Sequence, residues 1–393
     1  MTDSVLYFDH SATTPMRPEA AEAYLRAATT DFGNPSSRHA LGVEAARLLR
    51  SARADVLSAL GTRGGELVFT AGGTEANNLA ILGHLSSKER YRDGMTVIST
   101  AGEHPSVDRP LALLEKQGHK VIRIATKEGK LDTEALRAAL SPKVALVSLM
   151  LVNNETGALY DVASAFRICR EAAPAAILHT DATQAFLKVP FTPESLGADL
   201  VTVSAHKVGG PKGVGALWIS PSVMKTRSLV PLLHGGGQEL GLRSGTENMP
   251  GILAFAAACR AVGASYAAAY REVADLRAYL IDGFRARGGE GIALNLPVSA
   301  APHILSVTVR GLPAETTLNF LSAKGICVSA GSACSSKDKS HGASDALLAF
   351  GLSQRDAAST VRISLAPSNT KEEADRLLDA LCLSSTTLYR RFK

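Results

Sequence analysis

The chain is poor in cysteine and aromatic residues, and it has no long uninterrupted apolar run. Five cysteines in 393 residues, none in a paired CxxC spacing, make no disulfide framework and point to a reducing compartment. Aromatic residues make up 5% of the chain and interleave no basic patch. The 42 basic and 37 acidic residues leave a net charge of +5, with the two signs interspersed rather than blocked. So mild a balance excludes a direct nucleic-acid binder as the leading reading. No uncharged apolar run reaches the roughly 18 residues that a membrane span needs. The first residues, "MTDSVLYFDHSATTP", lack the basic and apolar regions of a secretory signal. The expectation is a cytoplasmic protein with no membrane partner.

What is present is ordinary globular material, 46% hydrophobic and 20% charged. A chain of this length exceeds one hydrophobic core, so two domains are expected. Short β-branched runs alternate with amphipathic segments through the first 220 residues: "ELVFT" (66–70), "TVIST" (96–100), "KVIRI" (120–124), "VALVSLM" (144–150), "AILHT" (176–180), "LVTVS" (200–204) and "GALWI" (215–219). Continuous apolar strands joined by crossovers of a dozen or more residues predict a mostly parallel seven-stranded sheet flanked by helices. The last two runs are separated only by a Gly-rich turn, which predicts an antiparallel edge. From about Gly251 a long Ala-rich helix leads to "HILSVTV" (303–309), "STVRISL" (359–365) and further helices. The fold class expected is α/β, with a large domain over 16–258. A smaller α+β C-terminal domain is built from 259–393 together with 1–15.

Ligands of doubly wound sheets bind outside the carboxyl ends of the strands, so the strand ends carry the candidate chemistry. After "ELVFT" come Gly72, Gly73 and Thr74, a turn opening a helix that can offer N–H groups and a hydroxyl to a phosphate. Its spacing is neither a Walker loop nor a dinucleotide fingerprint. After "AILHT" comes Asp181, which could hold a metal, act as a base or pair with a cationic heterocycle. After "LVTVS" come His206 and Lys207, a lysine placed where burial would make its amine nucleophilic. A phosphate cradle, a strand-end carboxylate and a strand-end lysine together match the needs of pyridoxal phosphate. That cofactor takes N–H and hydroxyl donors for its phosphate, a lysine for its aldehyde and an acid for its pyridine nitrogen.

The motifs "TAGGTEANNLAI", "EHPSV", "VNNETG", "DATQAF", "SAHKVGGPKGVGAL", "HGGGQELGLRSGTEN" and "GSACSS" resemble those of the cysteine desulfurases, pyridoxal-phosphate enzymes of the class V aminotransferase group. The likeness runs from "FDHSATTP" to "VRISLAPSNTKEEAD", essentially the whole chain, and its loop is similar to the long-loop members. The resemblance implies that Lys207 is the Schiff-base lysine, Asp181 the partner of the pyridine nitrogen and Gln184 the partner of the phenolic oxygen. It implies that His104 stacks on the ring and moves protons. Gly73, Thr74, Ser204 and His206 would hold the phosphate, joined by Thr246 of a second subunit in a homodimer. Asn154 and Arg362 would hold the substrate carboxylate. Read from the residues alone, His104 is a strand-end polar group and Arg362, alternating with apolar neighbours, a solvent-facing one.

"AGSACSSKDK" (330–339) places Cys334 among small and charged residues, an exposed loop rather than a site for a buried thiol. The resemblance makes Cys334 the nucleophile that takes sulfur from L-cysteine as a persulfide, leaving L-alanine. The partners implied are sulfur-acceptor proteins, an iron–sulfur scaffold or a tRNA-thiolation relay. Selenocysteine lyase, or another enzyme of the class V aminotransferase fold, is the alternative reading. The stretch after Cys334 is longer than the family pattern and lacks its proline, a departure that bears on loop reach and partner choice. Cys169, Cys259, Cys327 and Cys382 fall in helical or strand patterns and read as structural.

Overall fold

The strand pattern of the sequence sets the architecture almost residue for residue. The computed structural model describes residues 5–88, 94–331 and 343–387. Thirteen strands run in chain order within these residues: β1 (Leu6–Tyr7), β2 (Glu66–Thr70), β3 (Thr96–Thr100), β4 (Lys120–Ile124), β5 (Val144–Ser148), β6 (Ile177–Asp181) and β7 (Leu200–Ser204). They continue as β8 (Gly215–Ile219), β9 (Ile292–Asn295), β10 (Ile304–Val309), β11 (Ile326–Cys327), β12 (Ser329–Ala330) and β13 (Thr360–Ser364). Strands β3, β5, β7 and β8 are buried over their whole length, as runs of Val, Leu and Ile covered on both faces must be.

The seven-stranded sheet has the order β2-β8-β7-β6-β5-β3-β4. Pairings from β4 through β7 are parallel, whereas β8 is antiparallel to both β7 and β2. The antiparallel strand is therefore not the edge expected from its short Gly-rich connection. That connection makes β8 turn straight back along β7, and β2 then pairs on its open side. Because β2 opposes β8 and β8 opposes β7, β2 shares the direction of β7. The carboxyl ends of β2, β3, β5, β6 and β7 consequently face one edge of the sheet, where ligands of such folds collect.

A four-stranded antiparallel sheet, β12-β13-β10-β9, and a parallel β1-β11 pair form the second body of structure. Its core is Leu6 and Phe8 with Leu305, Val307, Val361, Ile363 and the final helix Lys371–Thr387. The helix Met249–Arg287 belongs to both bodies. Ile252 and Phe255 pack in the core under the large sheet, while Leu276, Leu280 and Phe284 pack under the small one. By length and composition this helix could cross a bilayer, with a mean hydropathy of 1.5 over 18 residues. Arg260 interrupts its apolar half and pairs with Asp55 of the helix Ala40–Leu60.

Phe255 is fully buried and meets Phe186 edge to face, with ring centroids 6.2 Å apart. Phe186 lies in the turn that follows Asp181, so this contact ties the long helix to the strand ends. Phe255→Ala is expected to cost about 3–5 kcal/mol through the cavity it leaves. The midpoint of thermal unfolding checks it, and a change near zero would mean that the helix is not held there.

Candidate active site

Lys207 closes a single 3-10 turn, Ala205–Lys207, directly after β7. The turn keeps its side chain at the sheet edge, half-buried, with Nζ donating to the carbonyls of Ser11 at 2.6 Å and Ala12 at 2.8 Å. Gln184 converges on the same place, its Nε2 donating to Ser11 O at 2.9 Å. The structure thus places Lys207 and Gln184 on one carbonyl, and the N-terminal carbonyls that hold them carry no signal in any motif.

Asp181 ends β6 and is buried, with Oδ1 accepting from the N–H of Thr183 at 2.9 Å. Oδ2 accepts from Nδ2 of Asn77 at 2.7 Å, and the same Nδ2 donates its second hydrogen to Ser106 Oγ at 2.9 Å. Ser106 Oγ, already an acceptor, donates to Nδ1 of His104 at 2.8 Å, and the Ser106 N–H reaches that nitrogen at 3.1 Å. Since Nδ1 is an acceptor, the neutral ring carries its proton on Nε2. Burial holds His104 below the usual histidine range, with the nearby Lys207 acting in the same direction. A strand-end carboxylate and a helix-capping histidine are thus coupled through Asn77 and Ser106. Sequence reasoning missed both residues. The available signal was that Asn77 lies one helical turn beyond Gly73, on the same face.

The helix that opens at Gly73 starts from Gly72, whose φ of 156° and ψ of −179° fall in a region essentially restricted to glycine. A Cβ on Gly73 would stand 3.0 Å from Thr183 Oγ1 and 3.7 Å from Ser204 Cβ, so the glycine leaves the concavity between β2, β6 and β7 open. Thr74 and His104 line one cleft of about 420 Å³ together with Ser106 and Arg109. Ser204 is buried at the end of β7, and His206 Nδ1 lies 3.3 Å from Thr13 Oγ1. Burial first, then Lys207, Lys188 and Lys212, push His206 down to about 4, so its ring is neutral at physiological pH. Thr246 is exposed ahead of the long helix, and the described contacts do not join it to the other phosphate residues.

The residues fit pyridoxal phosphate. Open space over Gly72, with Gly73, nearby hydroxyls and a helix start beside it, suits a phosphate, and Asp181 is an acid set to accept from a pyridinium. Around them lie buried polar atoms without a hydrogen-bond partner among the described residues: Ser11 Oγ, Asn77 Oδ1, Thr183 Oγ1 and Arg362 Nε. Orphans of this kind are rare in a finished core and cluster where a ligand completes the bonding.

Arg362 overturns its reading as a solvent-facing strand residue. β13 is an interior strand of the small sheet, and Arg362 is 8% exposed. Its Nη2 pairs with Asp9 Oδ1 at 2.9 Å and its Nη1 donates to the backbone carbonyl of Asn154 at 2.8 Å. The structure does bring Asn154 and Arg362 together, but through the Asn154 main chain. Next to Asn154, the buried Glu155 is raised above the usual carboxylate range by burial. A Cβ on Gly331 would meet Glu155 Oε2, so a side chain at 331 would force the Glu155 carboxyl to shift. Cys334 lies outside the described residues. Cys169 and Cys259 are buried in helices, and burial pushes the Cys169 thiol up to about 12, as suits structural cysteines.

Residues 6–377 match the family described as aminotransferase class V, and the chain belongs to that family. It is 40% identical over 382 residues to a cysteine desulfurase of Cereibacter sphaeroides, a match covering 96% of this chain and 94% of that one. To cysteine desulfurase IscS 1 of Archaeoglobus fulgidus it is 36% identical, covering 98% and 100% of the two chains. A solved NifS-like protein superimposes with a TM-score of 0.88 at 33% identity, covering 96% of this chain and 98% of that one. Within its family, then, the chain is a pyridoxal-phosphate-dependent enzyme of the cysteine desulfurase group.

Asn77→Ala removes the one donor shared by Asp181 and Ser106. It is expected to weaken cofactor retention about 10- to 100-fold, the effect of stripping a hydrogen bond from a charged group. Equilibrium dialysis of the cofactor checks it, and unchanged retention would make Asn77 a packing residue only.

Glu103 gives a second expectation. Its Oε1 accepts from Thr100 Oγ1 at 2.7 Å and Met150 N at 2.9 Å, while Oε2 is buried without a partner among the described residues. Burial raises this carboxyl from the ordinary 4.5 to about 8. The protonated acid's contribution to stability is full below 4.5 and is lost as pH rises through about 8. Thermal unfolding followed from pH 4.5 to 8 should show that decline in the wild type and a flatter profile in Glu103→Gln.

Proposed function

We propose that this enzyme converts L-cysteine to L-alanine, leaving the sulfur as a persulfide on Cys334 for transfer to an acceptor protein. The observation that carries the reading is the convergence of Lys207, Gln184 and Asp181 at the carboxyl ends of β6 and β7, with His104 coupled to Asp181 through Asn77. When bound, pyridoxal phosphate supplies an electron sink for bonds broken at the substrate α-carbon. Asp181, accepting hydrogen bonds on both oxygens, would face the pyridine nitrogen. Gly73, Thr74, Ser204 and the neutral His206 offer donors to the phosphate. Arg362, with Asn154 beside it, holds the substrate carboxylate.

Lys207 would move the proton at the substrate α-carbon, and His104, its proton on Nε2, would stack on the ring and help move protons. The Cys334 thiolate then attacks the substrate sulfur. The new S–S bond forms as the Cβ–S bond breaks, its electron pair goes to the carbon skeleton, and protonation there gives alanine. Atoms and electrons balance without any added oxidant, because one sulfur atom has simply changed carriers.

A homodimer in which Thr246 of one subunit reaches the other's phosphate explains why that residue is exposed and apart in the single chain. Acceptors in iron–sulfur assembly or tRNA thiolation, and a cytoplasmic setting, follow from the same reading. The separate cores under the two sheets support a reading as a cofactor-binding domain over 16–258 and a smaller domain from 1–15 and 259–393.

Wild type and Cys334→Ser, each given L-cysteine and a reductant, decide the matter. Equal release of alanine and sulfide by the wild type is expected, with almost none from a mutant that keeps its cofactor spectrum. Normal turnover by Cys334→Ser would make the cysteine a bystander and favour a lyase acting without an enzyme thiol.

A further inference from the structure

Lys188 is a second lysine beside the cofactor-binding lysine, and none of the roles assigned above uses it. It stands at the end of the turn "DATQAFLK" that begins at Asp181. The residue before it, Leu187, has a φ of 54°, a left-handed conformation that a leucine adopts only when its surroundings impose it. The strained step ends with Lys188 Nζ donating to Gln184 Oε1 at 3.4 Å. An amide whose oxygen is taken up in this way has its nitrogen fixed on the other side. Gln184 Nε2 accordingly donates to Ser11 O at 2.9 Å, the carbonyl that also accepts Lys207 Nζ at 2.6 Å. A continuous chain of donors and acceptors thus joins Lys188 to Lys207 through one side-chain amide and one main-chain carbonyl.

The surroundings of Lys188 are unfavourable for a cation. The charged groups acting on it are Lys207 on the turn after β7 and Arg362 on β13, both positive, and desolvation outweighs either. Together these bring Lys188 down to about 7. Its charge is felt in turn by His10 of the N-terminal segment, His206 beside Lys207 and His303 before β10, all of them pushed toward the neutral form. Asp9 acts on His10 in the opposite sense, and its carboxylate is paired with Arg362. A lysine placed for stability would have an acid opposite it. This one has an amide.

We propose that Lys188 is a positioning residue, which fixes the amide of Gln184 so that Nε2 is the atom presented to the cofactor's phenolic oxygen, and which links its own charge to the titration of the lysine-bound cofactor. The inference rests on the assignment of Lys207 and Gln184 to pyridoxal phosphate. Two effects act in the same direction. The donor on the phenolic oxygen and the nearby positive charge both disfavour a protonated nitrogen on Lys207, so losing them makes that proton harder to remove.

Holoenzyme carrying Lys188→Met, which keeps the length of the stem without the amine, tests this. The visible cofactor band is titrated with pH in wild type, Lys188→Met, Lys188→Arg and Lys207→Ala, and thermal unfolding of each is recorded. The midpoint of the band is expected to rise by about one pH unit in Lys188→Met, the size of one lost charge-assisted contact. It should return toward wild type in Lys188→Arg, which keeps a cationic donor, with unfolding of Lys188→Met unchanged or at higher temperature. An unshifted midpoint overturns the proposal. So does a Lys188→Met protein that unfolds earlier or fails to fold, because the lysine would then be a structural support. Lys207→Ala separates the two levels: if it keeps the visible band, the assignment of the cofactor lysine fails. If it loses the band while Lys188→Met titrates like wild type, only the role of Lys188 fails.

Discussion

Ser11 offers one carbonyl oxygen to two donors, Lys207 Nζ and Gln184 Nε2, and the site is assembled around that atom. The segment that carries it begins in one core and ends at another. Leu6 and Phe8 are buried with the small sheet, and Asp9 then grips Arg362 of β13. Thr13 Oγ1 meets His206, and Thr14 N–H donates to the His206 carbonyl at 3.0 Å. Six residues therefore staple the turn after β7 to β13 of the other body of structure. Lys207 and Arg362 stand on different bodies, so their separation is set by this short strap. Errors of about 1 Å between such groups cost rate steeply, which gives an extended, hydrogen-bonded segment an advantage over a flexible linker.

The charge distribution follows from what the site must hold. Lys207, Lys188 and Arg362 lie close together, while His206 and His10 are pushed down to about 4 and stay neutral. Burial is the largest cause for both histidines, and neighbouring cations add to it. A bound anion would add compensating negative charge beside Lys207 and Lys188. Of the acids near it, Asp9 pairs with Arg362 of the cluster itself, Asp181 accepts from Asn77 and Thr183, and Glu103 keeps its proton.

Much of this was legible in the sequence, for identifiable reasons. Strands such as Thr96–Thr100 and Leu200–Ser204 are runs of β-branched and apolar residues closed by turn formers, so their ends could be read to the residue. Lys207, Asp181 and Gly73 were legible because strand ends in this architecture converge by topology alone. Arg362 was not, since an arginine between valine and isoleucine alternates in the same way whether the strand faces water or another layer. Nor was β8 as an interior strand, because the partner on its open side, β2, lies more than 140 residues earlier in the chain. Asn77, Ser106 and the Ser11 carbonyl act through contacts between elements distant in sequence, and a main-chain oxygen has no letter in the alphabet.

Some of the backbone strain and some of the unmet polar groups fall beside Asp181 and Lys207. Leu187 is left-handed in the turn after Asp181, and Gly72 adopts its glycine-only conformation where the phosphate cradle opens. Asn77, Thr183, Ser11 and Arg362 each retain a buried polar atom without a partner among the described residues. A core selected for stability alone would satisfy or remove such atoms, since each leaves a desolvation cost unrecovered. Ser11, Asn77 and Thr183 also bond to Lys207 or Asp181 through other atoms, and a single ligand bearing a phosphate, a phenolic oxygen and a ring nitrogen could answer several of these orphans together. Cofactor binding would then complete the fold in this region, stabilising the native state by mass action as well as supplying the chemistry. The same reasoning explains why the donors belong to rigid strand ends and helix starts. Atoms that wait unpaired must be held in place by something other than the ligand they wait for.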